Sequence, residues 1–144
     1  MATLAEQVAV EKTGEGEYIS KVLPITMGNS LPVAYGGCAL GVAIRAAGDT
    51  VPAGLSLYSM LGHFLGPASS QQRLRCRVTR TRDTKTFATR RVEVMQTQKN
   101  GTERVCVELL ADYHVAEPST MTFSARPRTA PPPPEDCQTA EQLA

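Results

Sequence analysis

Tyr35-Gly36-Gly37-Cys38-Ala39-Leu40-Gly41-Val42-Ala43-Ile44-Arg45-Ala46-Ala47-Gly48 is the stretch that decides the fold. Leu40, Ala43, Ile44 and Ala47 recur at i, i+3, i+4 and i+7, so it predicts a helix with one apolar face. Gly48-Asp49 reads as its stop, because glycine takes a left-handed cap without a Cβ penalty. Its Ala, Gly and Val residues let the helix sit close to whatever it packs on. The paired glycines at its start leave backbone N–H groups uncovered at the positive end of the helix dipole. A carbonyl oxygen that gains negative charge can be held at such a place.

Composition narrows the setting. The chain of 144 residues is expected to form one domain, large enough for a core without metals or disulfides. It is 42% hydrophobic and 20% charged with a formal net charge of +1, which gives no reason to expect nucleic acid or an acidic membrane as partner. No apolar run reaches membrane-span length, and Met1 to Gln7 does not read as a signal peptide. Cys38, Cys76, Cys106 and Cys137 are widely spaced with no C-x-x-C pair, so reduced thiols in a cytoplasmic setting are expected. His63 and His114 have too few neighbouring ligands for a zinc site, and no metal or cofactor is expected.

Outward from the helix, strands are expected. Met1 to Gly16 reads as a loose lead-in, Glu17 to Leu23 as a first strand, and Pro24 to Pro32, with Gly28-Asn29-Ser30, as a loop. Val51-Pro52-Ala53-Gly54 is a turn, and Leu55 to Leu65 predicts a strand buried on both faces. Leu74 to Arg80 alternates strictly, as a strand with one wet face does. Asp83-Thr84-Lys85 turns into a strand over Thr86 to Gln96, and Asn100-Gly101 is a strong hairpin signal. On the return strand Val105, Val107, Leu109, Ala111 and Tyr113 share one face, and Cys106, Glu108, Leu110, Asp112 and His114 the other. Pro131 to Pro134 is extended polyproline. One helix laid on a curved antiparallel sheet is an α+β solution, with a domain over 1–127 and a proline-rich tail over 128–144.

That order resembles the hot-dog fold, and three motifs resemble the first half of the double-hot-dog acyl-CoA thioesterase II (TesB-like) family. Tyr35-Gly36-Gly37 is similar to the Y-G-G-Q opening of the family, and Leu57 to Pro67 to its H-S-x-H-x-Y-F-L-R-P strand. Arg82-Asp83-Thr84-Lys85-Thr86-Phe87-Ala88-Thr89-Arg90-Arg91-Val92 resembles R-D-G-[KR]-S-F-x-x-R-R-V. The resemblance runs co-linearly from about Tyr18 to Glu117. Family members carry two such domains, so it implies a homodimer or higher homo-oligomer, with a site at the subunit interface. The catalytic Asp, Thr or Ser, and Gln of the family lie in its second half. By repeat correspondence the Gln position falls on His114, the hydroxyl near Leu57 or Ser59, and the Asp near Gly37 or Cys38. Cys38 stands where relatives have glutamine, and Ile44 where some other hot-dog thioesterases place an acid.

Each candidate has a functional and a plainer reading. Gly36 and Gly37 supply oxyanion donors or simply permit close packing, and Tyr35 borders them. His114 is a general base or a partly exposed strand histidine, with Asp112 on its face but too far for direct contact. Cys38 is a nucleophile in the first helical turn or a small buried hydrophobe. Ser59 positions a water or satisfies a neighbour, and His63 has a slight claim on the pocket. Asp83 caps its turn or pairs with Arg82. Arg82 and Arg90, with Arg75, Arg77, Arg80 and Arg91, meet coenzyme A phosphates or form a solvated face. The expected function is a thioesterase-like enzyme acting on an acyl or polyketide thioester, carried by coenzyme A or a carrier protein. The alternatives are a non-hydrolytic cyclase, isomerase or dehydratase of a polyketide-like intermediate in secondary metabolism, and a non-catalytic acyl-binding module.

Overall fold

Leu74, Cys76 and Val78 are buried while Arg77 and Thr79 face solvent, so the alternation in this segment does set which side packs. The computed structural model describes residues 3–26, 28, 31–125, 128–139 and 142. In chain order the elements are α1 (Leu4–Gln7), β1 (Val10–Gly14), β2 (Glu17–Ser20), α2 (Gly36–Gly48), β3 (Leu55–Phe64), β4 (Arg75–Asp83), β5 (Phe87–Thr97) and β6 (Glu103–Val115), with a 3-10 turn at Pro134–Asp136. The strands form one antiparallel sheet in the order β1-β2-β4-β5-β6-β3. Helix α2 lies across one face of it, against β4, β5 and β6. The α+β reading holds.

Small residues bring helix and sheet together. Cys38, Ala39, Val42, Ala43, Ala46 and Ala47 are the buried positions of α2, and they meet Val92, Val94, Val107, Leu109 and Ala111 in one cluster. Leu40 and Ile44 are only half-buried, so the packed stripe is rotated by about one residue from the expected one. Close approach selects Ala over Leu at the contact. The helix also stops differently. Its cap is Asp49, in right-handed geometry at φ −66° and ψ −10°, and the hydroxyl of Thr50 donates to the carbonyl of Ala47 at 2.7 Å. Gly48 makes no left-handed turn.

Four further expectations are corrected. The expected lead-in contains α1, closed by a Thr3–Glu6 capping box, and β1, which pairs with β2 through Lys12↔Tyr18. Glu15-Gly16 makes that hairpin, with Gly16 at φ +68°. The first strand beyond it is short, ending at Ser20. Leu55 to Leu65 is not buried on both faces. Among the described residues β3 is an edge strand, bonded to β6 alone, and Leu57, Tyr58, Met60, Leu61, Phe64 and Leu65 are exposed. On β6 a bulge at Cys106, between the pairs Val94↔Val107 and Met95↔Val105, buries Cys106 beside Val107 and breaks the expected two-face division there.

Arg90 supplies the largest correction. It does not sit on a solvated face: its side chain is fully buried and all five guanidinium N–H groups are used. Nε donates to Thr50 Oγ1 at 2.7 Å, and one terminal nitrogen to the carbonyls of Arg82 and Thr89. The other donates to the carbonyl of Thr50 and, at 2.6 Å, to Asp83. Asp83 therefore pairs with Arg90 rather than with Arg82, which lies 3.8 Å from Asp112. This network ties the end of α2 to the β4–β5 turn.

The Asn100-Gly101 hairpin forms as expected, with Gly101 at φ +83°. Met27, Asn29 and Ser30 of the expected loop, and the expected domain boundary after residue 127, lie outside the described residues. Described positions from Ala116 onward are exposed, Met121 and Phe123 among them.

Candidate active site at the start of the central helix

Two backbone hydrogen bonds set the entry to α2. Ala34 N–H donates to the carbonyl of Ala68 and Tyr35 N–H to that of Ile25, each at 2.7 Å. Tyr35 is the N-cap, extended at φ −61° and ψ 127°, and offers no side-chain acceptor. The N–H groups of Gly36 and Gly37 have no partner among the described residues, whereas Cys38 N–H bonds the carbonyl of Tyr35 at 3.0 Å. Two donors thus stand open at the positive end of a 13-residue helix.

A cleft of about 330 Å³ opens beside Gly36. Val33, Ala34, Gly36, Ala39, Phe64 and Val107 are among its walls, and among the described residues no titratable side chain lines it. A Cβ at Gly36 would stand 2.9 Å from the tip of the Phe64 ring, and one at Gly37 would stand 2.6 Å from the Tyr35 ring. The glycines permit this close approach as well as leaving two donors open.

The other candidates do not converge on this cleft. Tyr113 turns toward the helix, where its hydroxyl donates to the carbonyl of Ile44 at 3.0 Å, and burial pushes its pKa up to about 12. Period-two alternation turns His114 to the opposite face. Its ring packs on Phe87, with centroids 4.1 Å apart, and near Tyr58 at 5.9 Å, while Nε2 is 3.6 Å from Glu117. Asp112 accepts from Thr89 at 2.6 Å and does not orient His114. Register sets the distance: His114 is opposite Ser56 and Val107 is opposite Phe64, eight residues along β3. At roughly 3.3 Å per residue the two ends are about 26 Å apart.

Ser59 and His63 lie exposed on the His114 side of the sheet, paired with Asp112 and Glu108. Cys38 is buried in the core cluster, and neither histidine is on its face. Arg82 stacks over Phe87 at 5.2 Å. Arg75, Arg77 and Arg91 are matched to Glu103, Glu17, Glu93 and Glu108, and hydrogen bonding to Arg91 holds the Glu108 carboxyl below its ordinary range. Tyr58, Phe64 and Phe87 were not foreseen as neighbours of the glycines or of His114. The pairing of Phe87 with His114 follows from the turn at Asp83-Thr84-Lys85, and was readable in principle. Among the described residues no three His, Cys, Asp or Glu side chains group as a metal site, and no helix is long and apolar enough to cross a membrane.

A family model described as acyl-CoA thioesterase N-terminal domain matches residues 23–114. No curated protein matches the chain by sequence. Among solved structures, the acyl-CoA thioesterase II TesB2 of Mycobacterium marinum is 29% identical with a TM-score of 0.74, over 93% of this chain and 46% of that one. The tesB protein of Mycobacterium avium subspecies paratuberculosis is 23% identical with a TM-score of 0.64, over 85% and 46%. A thioesterase of Haemophilus influenzae shares the fold at 12% identity and a TM-score of 0.59, over 78% and 81%. The chain spans about half the length of the two TesB structures. The hot-dog architecture is that of their N-terminal half.

Proposed function

The chain belongs to the acyl-CoA thioesterase N-terminal domain family, and on that footing we propose that it takes an acyl thioester with the carbonyl at Gly36 and Gly37. The observation that carries this reading is the pair of open N–H groups beside an apolar cleft. Each such donor, aimed at a developing oxyanion, is worth about 10²–10³ in rate. The cleft takes the acyl chain, of fatty or polyketide type, and the thiol carrier, coenzyme A or a carrier protein, lies outside it.

A second copy completes the site. The free edge of β3 is long and apolar, a surface that invites strand pairing. An antiparallel pair centred on Met60 sets Phe64 of one copy against Ser56 of the other, four residues either side of the centre. His114, beside Ser56, then lies two strand spacings, roughly 10 Å, from the Phe64 of the second copy. Its outward face gives it a place at the mouth of the groove, not beneath the carbonyl.

Hydrolysis is the first reading because of the family. One observation favours a second, non-hydrolytic reading: among the described residues no titratable side chain lines the cleft, so none of them stands as a base beside the polarised carbonyl. Acyl-CoA substrates of several chain lengths, followed by free thiol and by product mass, separate the two. Thiol release above background supports hydrolysis, and a product isomeric with its substrate supports the other reading. A folded dimer that neither turns over acyl-CoA nor binds its thioether analogue overturns both.

A further inference from the structure

A second cleft, of about 620 Å³, lies beyond the opposite end of α2, with Lys12, Glu15, Tyr18, Asp49, Val78 and Arg80 among its walls. The 13 residues of the helix separate it from Gly36 by roughly 20 Å. It lies past the last turn of α2, where Lys12, Thr79 and Arg80 stay exposed beside the buried Tyr18 and Val78.

Four of its groups, Tyr18, Arg80, Lys12 and Glu15, have no side-chain partner among the described residues. Tyr18 is 4% exposed, yet its hydroxyl has no hydrogen-bond partner among the described residues and opens into this cleft. Arg80 shares the inner face with Val78 and has no carboxylate partner among the described residues, unlike Arg73, Arg75, Arg77, Arg82, Arg90 and Arg91. Lys12, opposite Tyr18 in the β1–β2 register, is likewise without one. Burial raises the Tyr18 pKa, with Asp49 adding to the rise and Arg80 opposing it, so the phenol stays a donor at neutral pH. Asp49 also lines the cleft, 3.4 Å from Arg45, and Glu15 has no cation partner among the described residues. A ligand here meets two cations, a phenol and two carboxylates.

We propose that this cleft is a binding site for a small phosphorylated polyol, its phosphate on Arg80, Lys12 and the Tyr18 hydroxyl, its hydroxyl groups donating to Glu15 and Asp49. The phosphate pairing follows from two cations and a phenol without a partner among the described residues, and the hydroxyl pairing from Glu15 and from Asp49, whose pair with Arg45 is solvent-exposed. The site is independent of the acyl cleft.

Calorimetric titration with glycerol 3-phosphate tests the proposal, with glycerol and inorganic phosphate as companion probes. Glycerol 3-phosphate binds, more tightly than inorganic phosphate, and glycerol alone does not. Arg80→Gln weakens binding about tenfold or more, the worth of a charge-assisted hydrogen bond. Tyr18→Phe weakens it severalfold at an unchanged urea midpoint, because no protein hydrogen bond is lost. Arg77→Gln, on the other face, binds as the wild type does. The proposal is overturned if glycerol 3-phosphate does not bind the folded protein, or if inorganic phosphate binds as tightly. It is equally overturned if Arg80→Gln leaves the affinity unchanged.

Discussion

Replacing Arg90 by Met removes a buried guanidinium while keeping most of its volume. The carbonyls of Thr50, Arg82 and Thr89 and the hydroxyl of Thr50 then lose their donor. At about 1 kcal/mol for each part-buried group left unpaired, the loss is about 4 kcal/mol. The ion pair adds little, because Asp83 is 42% exposed and water takes over its solvation. The methionine recovers part of the loss by burial, so about 2–4 kcal/mol is expected, against the roughly 5–15 kcal/mol that holds a domain folded. Urea denaturation reads this as a midpoint lowered by about 1–2 M at unchanged slope. Arg91→Met is the control. Its exposed pairs with Glu93 and Glu108 are worth under about 1 kcal/mol. An Arg90→Met protein as stable as Arg91→Met refutes the buried-network account.

The remaining predictions follow from burial and the free edge. Tyr113→Phe is expected to cost about 1 kcal/mol through the bond to Ile44, measured by the same denaturation. Tyr113 and Cys76 both have pKa values raised by burial to about 12, from ordinary values of 10.0 and 9.0. The folded state therefore holds these protons more tightly, and stability is full below about pH 9 and falls between pH 9 and 12. A flat stability profile across that window contradicts the assignment. Cys137 is exposed while Cys38, Cys76 and Cys106 are buried, so one fast thiol and three protected ones are expected in a timed alkylation followed by mass. Leu61→Lys places a charge on the apolar edge and is expected to shift the proposed dimer to monomer in sedimentation, and an unchanged dimer rules out pairing through β3.

Local signals carried most of the architecture. Alternation in Leu74 to Arg80 gave the buried face, Asn100-Gly101 gave the hairpin, and small residues at helical spacing gave α2. What failed depended on distant parts of the chain. The apolar run of β3 looks buried on both faces, because its sequence does not say that, among the described residues, no strand pairs with its far edge. Arg90 and Arg91 look alike as charges, although alternation puts Arg90 with Ala88, Val92 and Val94, all of them buried. The separation of His114 from Gly36 is a matter of register along β3, and motif matching carries no such distance. Gly48 looked like a cap because it is a glycine, whereas the Thr50 hydroxyl does that work.

The central claim is that the Gly36 and Gly37 N–H groups polarise an acyl carbonyl. Gly36→Pro tests it most directly, since proline suits the first helical position and Tyr35, at ψ 127°, is already extended as a residue before proline must be. Gly36→Ala is its partner: both variants place a Cβ against the movable Phe64 ring, but only the proline lacks the N–H. The account predicts that Gly36→Pro loses about 10²-fold or more in kcat/KM on acyl-CoA relative to Gly36→Ala, with fold and oligomeric state unchanged. Equal turnover by the two variants would contradict it.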